Sequence, residues 1–394
     1  MADTSKLKPD TLAVRHGTER SGWNETSEAL ILTSGYVYDS PEQAAARMAG
    51  DEPGFVYSRY GSPTNRMLEE RLAALEGAEA CRVAASGMGA ISSALLCQCR
   101  AGDRVVAAKA LFGSCRWIIS ELMPRFGIDT VMVDGADLDA WAEALSEPTR
   151  LVLIETPANP LLDGIDMAAV AELAHKAGAK LVVDNVFATP VLQRPMEFGA
   201  DWVVYSATKH MDGQGRVLAG AILAPKAEIE EHLDPWLRHT GPACSPFNAW
   251  VVLKGLETLS LRVNRQAETA ARLADAVVGH DTIAAVRYPH RTDHPHYAVH
   301  AKQMRAGGTL LALSFKGGQE AAFRFLNALE LVDVSNNLGD AKSLACHPST
   351  TTHRALSAEA QADMGLDASW VRISCGLEDA GDLEDDLTAA LNAI

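Results

Sequence analysis

A lysine flanked by small hydroxyl side chains is the chemically richest stretch of this chain. Ser206-Ala207-Thr208-Lys209-His210 follows the apolar run Trp202–Tyr205. Ser206 and Thr208 are two residues apart, so on an extended chain their hydroxyls point the same way. Two hydroxyls beside an amine can bind an oxyanion while the amine forms an imine with a carbonyl of the same ligand. An ordinary surface lysine at a solvated strand end is the competing reading of so short a motif. Asp184 closes the buried run Leu181-Val182-Val183. A carboxylate at the carboxyl end of a central strand faces the ligand crevice of an open α/β sheet. The alternative is an Asp that caps the next turn.

Two weaker signals lie upstream. Ala85-Ser86-Gly87-Met88-Gly89-Ala90 joins a short apolar run to a helical one. Glycine at a helix start lets backbone N–H groups approach a phosphate, aided by the helix dipole. A plain strand-to-helix turn fits it equally. In Tyr57–Asn65, Arg59 can clamp a phosphate through two hydrogen bonds, or decorate a surface loop. An imine-forming lysine, a phosphate cradle and a strand-end carboxylate together suit pyridoxal phosphate, whose pyridine nitrogen a carboxylate keeps protonated.

These residues need a scaffold. Short apolar runs recur at Arg104–Ala108, Thr130–Val133, Leu151–Ile154, Leu181–Val183 and Trp202–Tyr205, with Ala-rich helical segments such as Asp166–Ala177 between several of them. Continuous apolar strands spaced by helices predict a mostly parallel sheet covered on both faces. Ser62-Pro63 reads as a helix start, and Gly77 as its end. Residues 1–60 read as an irregular arm, 61–255 as the sheet domain and 256–394 as a smaller C-terminal α/β domain. Asp234–Asn248 shows no clear periodic element, and one long helix is expected from Trp250 to about Val278. Shorter strands are expected at Leu310–Phe315 and Val371–Ser374.

Composition excludes several functions. Charged groups sum to 35 − 51 = −16, a surface that repels phosphate backbones and anionic lipids. Nucleic acid is not expected as a partner. No run of about 18 apolar residues predicts a membrane span, and the polar start MADTSKLKPD predicts a cytoplasmic protein. Seven scattered cysteines without a CxxC pair predict free thiols. His290, His294, His296 and His300 invite a metal reading, but their Pro-rich spacing fits no standard ligand pattern, and no metal is expected.

Taken in order, Tyr57–Asn65, Ser86-Gly87-Met88, Glu155-Thr156-Pro157-Ala158-Asn159-Pro160, Asp184-Asn185, Ser206–Lys209, Gly255–Leu259 and Val371–Ser374 resemble the trans-sulfuration, cystathionine γ-synthase-like family of fold-type I pyridoxal-phosphate enzymes. The resemblance implies that fold, with a large seven-stranded sheet flanked by helices. It implies Lys209 as the Schiff-base lysine and Asp184 as the partner of the pyridine nitrogen. Gly87, Met88, Ser206 and Thr208 would hold the phosphate, joined by Tyr57 and Arg59 from a neighbouring subunit. The implied assembly is a homotetramer with active sites shared across the dimer interface. Arg372, Asn159 and Ser343 would grip the substrate's α-carboxylate. Phe112 stands where most relatives place a ring-stacking tyrosine. This phenylalanine, and the stretch Asn337–Leu344, resemble the O-succinylhomoserine sulfhydrylase branch. The implied reaction is γ-replacement on O-succinyl-L-homoserine by sulfide, giving L-homocysteine and succinate in methionine biosynthesis, with Lys209 moving the protons. Cystathionine γ-synthase, O-acetylhomoserine sulfhydrylase and methionine or cystathionine γ-lyase activities are the alternatives. Arg116 is read as an exposed helix arginine, the alternative being a contact to a succinyl carboxylate.

Overall fold

The computed structural model describes residues 6–394. Seven strands form the main sheet: β1 (Ala80–Ala84), β2 (Arg104–Ala108), β3 (Asp129–Val133), β4 (Leu151–Glu155), β5 (Lys180–Asp184), β6 (Trp202–Ser206) and β7 (Gly220–Ala224), in the order β1-β7-β6-β5-β4-β2-β3. The five strands from β6 to β3 run parallel. Every residue of β4 is buried, which is why it reads as an unbroken apolar run. The expected mostly parallel sheet flanked by helices is present.

The strand that periodicity does not reveal is β7. It runs antiparallel between β1 and β6, and its sequence Gly-Ala-Ile-Leu-Ala carries little β-branched content. Its first residue must be small, because a Cβ at Gly220 would lie 2.1 Å from the Ser86 carbonyl oxygen.

A second sheet comprises β8 (Ile283–Arg287), β9 (Leu310–Phe315), β10 (Asp333–Val334), β11 (Leu344–Cys346) and β12 (Trp370–Ser374), ordered β10-β11-β12-β9-β8. Three of its four pairings are antiparallel. The helices Leu259–Val277, Gly318–Ala328 and Ala380–Asn392 pack against it around Phe315, Phe325 and Leu387.

Several local expectations change. The stretch from Trp250 to Val278 is not one helix: Pro246–Leu256 and Leu259–Val277 are separate, with Thr258 breaking helical geometry at φ −115°, ψ 8°. A shared apolar periodicity on both sides of the break hides it. Asp234–Thr240 is helical, closed by Gly241 in a left-handed conformation. The arm carries the helices Pro9–Arg15 and Pro41–Ala49. Ser62 caps Pro63–Glu76 through Asn65 N–H, and Gly77 ends it at φ 84°, as the sequence indicates.

The break positions Lys209. From the second helix, Arg262 donates to the carbonyl oxygens of His210 (2.7 Å) and Gly255 (2.8 Å). The first helix presses Gly255 onto the same turn: a Cβ there would meet the Met211 oxygen at 2.3 Å. The lysine turn is thus clamped from two directions.

The arm is fastened by a buried ion pair. Arg71 donates to Glu28 Oε1 (2.5 Å), Thr18 Oγ1 (2.9 Å) and the His16 carbonyl (2.8 Å), and Lys254 donates to Glu28 Oε2 (3.0 Å). Burial pushes the Glu28 carboxyl up, but the Arg71 and Lys254 hydrogen bonds outweigh it and hold the group down to about 2. Glu28→Gln leaves Arg71 buried without its counter-charge and should lower stability by about 3 kcal/mol near neutrality, read from urea unfolding. Because the folded-state value is depressed, this contribution is present above the ordinary value of 4.5 and is lost as pH falls from there toward about 2. The gap between wild type and variant therefore narrows below pH 4.5.

Candidate active site

At the carboxyl ends of β4, β5 and β6 lies a cavity of about 350 Å³. Lys209, Asp184, Glu155, Asn159, Ser206, Thr208, Gly87, Met88, Phe112 and Arg372 all line it. The main sheet supplies one wall and β12 of the second sheet brings Arg372 to the other.

Ser206 ends β6, and Thr208 and Lys209 lie in the turn beyond it. The chain is therefore not extended through this motif, and the alternation argument does not explain why both residues line the cavity. The turn does. Thr208 Oγ1 is fixed between the Ala219 carbonyl (3.2 Å) and the Ala219 N–H (3.0 Å). Lys209 Nζ donates to Asn337 Oδ1 at 2.5 Å. Burial, then the charge of Arg372, lowers the lysine to about 8.

The helix Gly87–Leu96 starts at the cavity, capped by Ser86, whose hydroxyl accepts from Gly89 N–H at 3.0 Å. Its first-turn N–H groups have no partner within the helix. Gly87 packs so closely that a Cβ would sit 2.5 Å from the Ser206 Cβ. This close approach brings the helix start and the Ser206 hydroxyl to one point, an anion cradle.

Asp184 and Glu155 are register partners on β5 and β4. Burial raises both carboxyls, and the neighbouring charge of Asp184 raises Glu155 further. Asp184 accepts the nearby Val186 N–H at 3.0 Å. Glu155 accepts Phe112 N–H (2.7 Å) and Asn159 N–H (2.8 Å). Arg372 is held by Asn159 Oδ1 (2.8 Å) and by the carbonyls of Asn336 (3.1 Å) and Asn337 (3.3 Å). These acceptors fix its position in the cavity wall, where the residue is buried.

Ser343, expected at the substrate, lies elsewhere, and Tyr57 and Arg59 are the residues expected to serve a neighbouring subunit. Tyr57 and Arg59 do not line the cavity. Arg59 stacks over Tyr57 and Tyr60, 5.4 and 4.9 Å from their ring centres, and donates to the Arg238 carbonyl. Ser343 is buried outside it, donating to Glu378 (2.9 Å) and accepting from Gly376 N–H (2.8 Å). Arg116 is not exposed: it is buried and donates to the Lys109 carbonyl at 3.0 Å. The histidine loop packs its rings on one another, with His294 and His300 centred 5.0 Å apart. Among the described residues no group of side chains is arranged to hold a metal, and no helix is long and apolar enough to cross a membrane.

Glu155 and Asn337 went unassigned in the sequence. Glu155 ends an apolar strand just as Asp184 does, so the same rule finds it. Asn337 comes from a loop 128 residues downstream of its lysine, and no local pattern signals the pairing.

An amine tuned toward neutrality, a half-buried carboxylate awaiting a cationic partner and an anion cradle fit pyridoxal phosphate and define a pyridoxal-phosphate enzyme on a large α/β sheet. Residues 10–392 match the family of Cys/Met metabolism PLP-dependent enzymes. The chain is 52% identical to an O-succinylhomoserine sulfhydrylase of Mycobacterium tuberculosis, covering 99% of this chain and 98% of that protein. It is 44% identical to an O-succinylhomoserine sulfhydrylase of Pseudomonas aeruginosa, over 98% and 95%. A solved structure from Campylobacter jejuni, with a pyridoxyl-lysine monophosphate, shares 30% identity at a TM-score of 0.94, over 98% of this chain and 100% of that one. The chain belongs to the Cys/Met metabolism PLP-dependent family.

The lowered lysine gives a pH prediction. Only the neutral amine attacks an aldehyde, so the rate at which apoprotein takes up pyridoxal phosphate should rise with pH through about 8 and level off above it. Arg372→Ala should move that midpoint upward. Borohydride reduction and peptide mapping should place the label on Lys209. A label elsewhere would refute its assignment.

Proposed function

We propose that the protein catalyses γ-replacement on O-succinyl-L-homoserine, with sulfide as nucleophile, releasing L-homocysteine and succinate. The observation that carries this is the gathering of one tuned amine, Lys209, with the Arg372–Asn159 pair and Asp184 in one cavity. The bound cofactor would serve as the electron sink for carbanions formed at the substrate.

Around it the chain's own groups divide the work. Lys209 carries the cofactor at rest and, once released, takes the substrate's α-proton and returns protons later. An amine lowered to about 8 suits both directions near neutral pH. Asp184 keeps the ring nitrogen charged. Gly87, Met88, Ser206 and Thr208 bind the phosphate. Arg372 and Asn159 hold the α-carboxylate, which aims the α C–H at the lysine. Phe112 offers a flat apolar face and no hydroxyl, so it cannot share the proton transfers. Tyr57 and Arg59, facing outward on their own chain, complete the phosphate site of a second subunit in a homotetramer. The 52% and 44% identical sulfhydrylases favour the succinyl ester and sulfide over cystathionine formation or γ-elimination.

Steady-state assays separate these reactions. O-succinyl-L-homoserine with sulfide should yield L-homocysteine faster than the O-acetyl ester does. Cysteine should be a poorer nucleophile than sulfide, and L-methionine should release little keto acid. Absence of homocysteine with sulfide would refute the reading. Lys209→Ala should lower turnover by at least about a thousandfold, since it removes both base and cofactor anchor.

A further inference from the structure

Glu155 has a role in this site that the cofactor and substrate contacts leave unassigned. Its carboxylate is nearly sealed from solvent, 4% exposed. Sealing a carboxylate is costly unless its oxygens are hydrogen-bonded. Both oxygens are used, and each reaches a different loop. Oε2 takes the N–H of Phe112, at the start of the short helix after β2. Oε1 takes the N–H of Asn159, in the loop after β4. Both of those residues line the cavity, and Asn159 Oδ1 in turn accepts Arg372 from the second sheet. One rigid strand-end carboxylate therefore links the ring-facing phenylalanine to the arginine.

We propose that Glu155 is a positioning residue: by accepting two backbone N–H groups at once it holds Phe112 and the Asn159–Arg372 pair at a fixed spacing across the cavity, and so sets the affinity for an amino-acid carboxylate. The proposal rests on the assignment of Asn159 and Arg372 as the carboxylate grip. The two-acceptor requirement is chemically strict. A carboxylate accepts at both oxygens, whereas a glutamine amide accepts at one and must point an NH₂ at the second N–H. Aspartate keeps both acceptors on a shorter stem.

The test is binding of unreactive L-alanine to holoenzyme, read from the cofactor absorbance, with thermal unfolding alongside. Glu155→Gln should weaken L-alanine binding about tenfold, with the unfolding midpoint within about 5 °C of wild type. Glu155→Asp should fall between the two. Glu155→Gln and Asn159→Ala should be non-additive, because one acts through the other. A Kd for Glu155→Gln within about twofold of wild type, an Asp variant no better than Gln, or additive losses would each overturn the proposal. If Glu155→Gln does not fold, Glu155→Asp carries the same cycle with Asn159→Ala, and additivity there overturns it equally. Arg372→Ala separates the two layers. If it binds L-alanine normally, the grip is misassigned and the proposal falls with it. If it loses binding while Glu155→Gln keeps it, only the role of Glu155 falls. Neither result depends on which ester or nucleophile the enzyme uses.

Discussion

Glu155 and Asp184 stand side by side at the ends of two central parallel strands, and the rest of the site is arranged around that juxtaposition. Parallel pairing places register partners as neighbours, so two carboxylates at the same level of β4 and β5 cannot avoid each other. Burial raises both, and the charge of Asp184 raises Glu155 further. What makes the arrangement tolerable is a difference in partners. Glu155 is satisfied by backbone N–H groups, and Asp184 is left able to meet a cationic ring nitrogen. A buried carboxylate without such a partner would neutralise itself instead.

Positive charge reaches this centre only by long connections. Lys209 comes from the turn after β6, and Arg372 from β12 in the second sheet. Neither approach is left to side-chain flexibility. Arg262 and the packed Gly255 clamp the lysine turn, and three carbonyl-type oxygens hold the Arg372 guanidinium. Arg372 in turn depresses the lysine. The same charge that would bind a carboxylate thus keeps the nearby amine partly neutral, so binding and basicity are coupled by geometry.

Most of the site was legible because its residues sit at strand and helix ends, which leave local marks. Asp184 ends an apolar run, Ser86-Gly87 starts a helix, and Lys209 follows a strand. The strands themselves read clearly where both faces are buried. Legibility failed where the determining contact is distant in sequence or the local pattern is generic. The strand Gly220–Ala224 looks like any small apolar segment. Its glycine is demanded by the Ser86 carbonyl, more than a hundred residues earlier. The helix break at Thr258 preserves the apolar period and so is silent. Arg116 lies in a helical context that suggests exposure, yet Lys109 binds it in the interior. Ser343 keeps its motif neighbourhood, but its hydroxyl is engaged with Glu378.

The phenylalanine at position 112 draws these strands together. A side chain beside a cofactor can contribute shape, protons or both, and a phenylalanine in the cavity wall offers shape alone. Its backbone N–H, however, is bound to the carboxylate that also holds Asn159. The position is thereby tied through its main chain to the Asn159–Arg372 pair, a link that does not need a hydroxyl. Lys209 is the one lysine among the residues lining the cavity, and its lowered proton affinity suits the proton transfers proposed for it. In the proposed reaction proton transfer falls to that one tuned group, while the surrounding carboxylates and backbone hydrogen bonds fix the walls of the cavity around it.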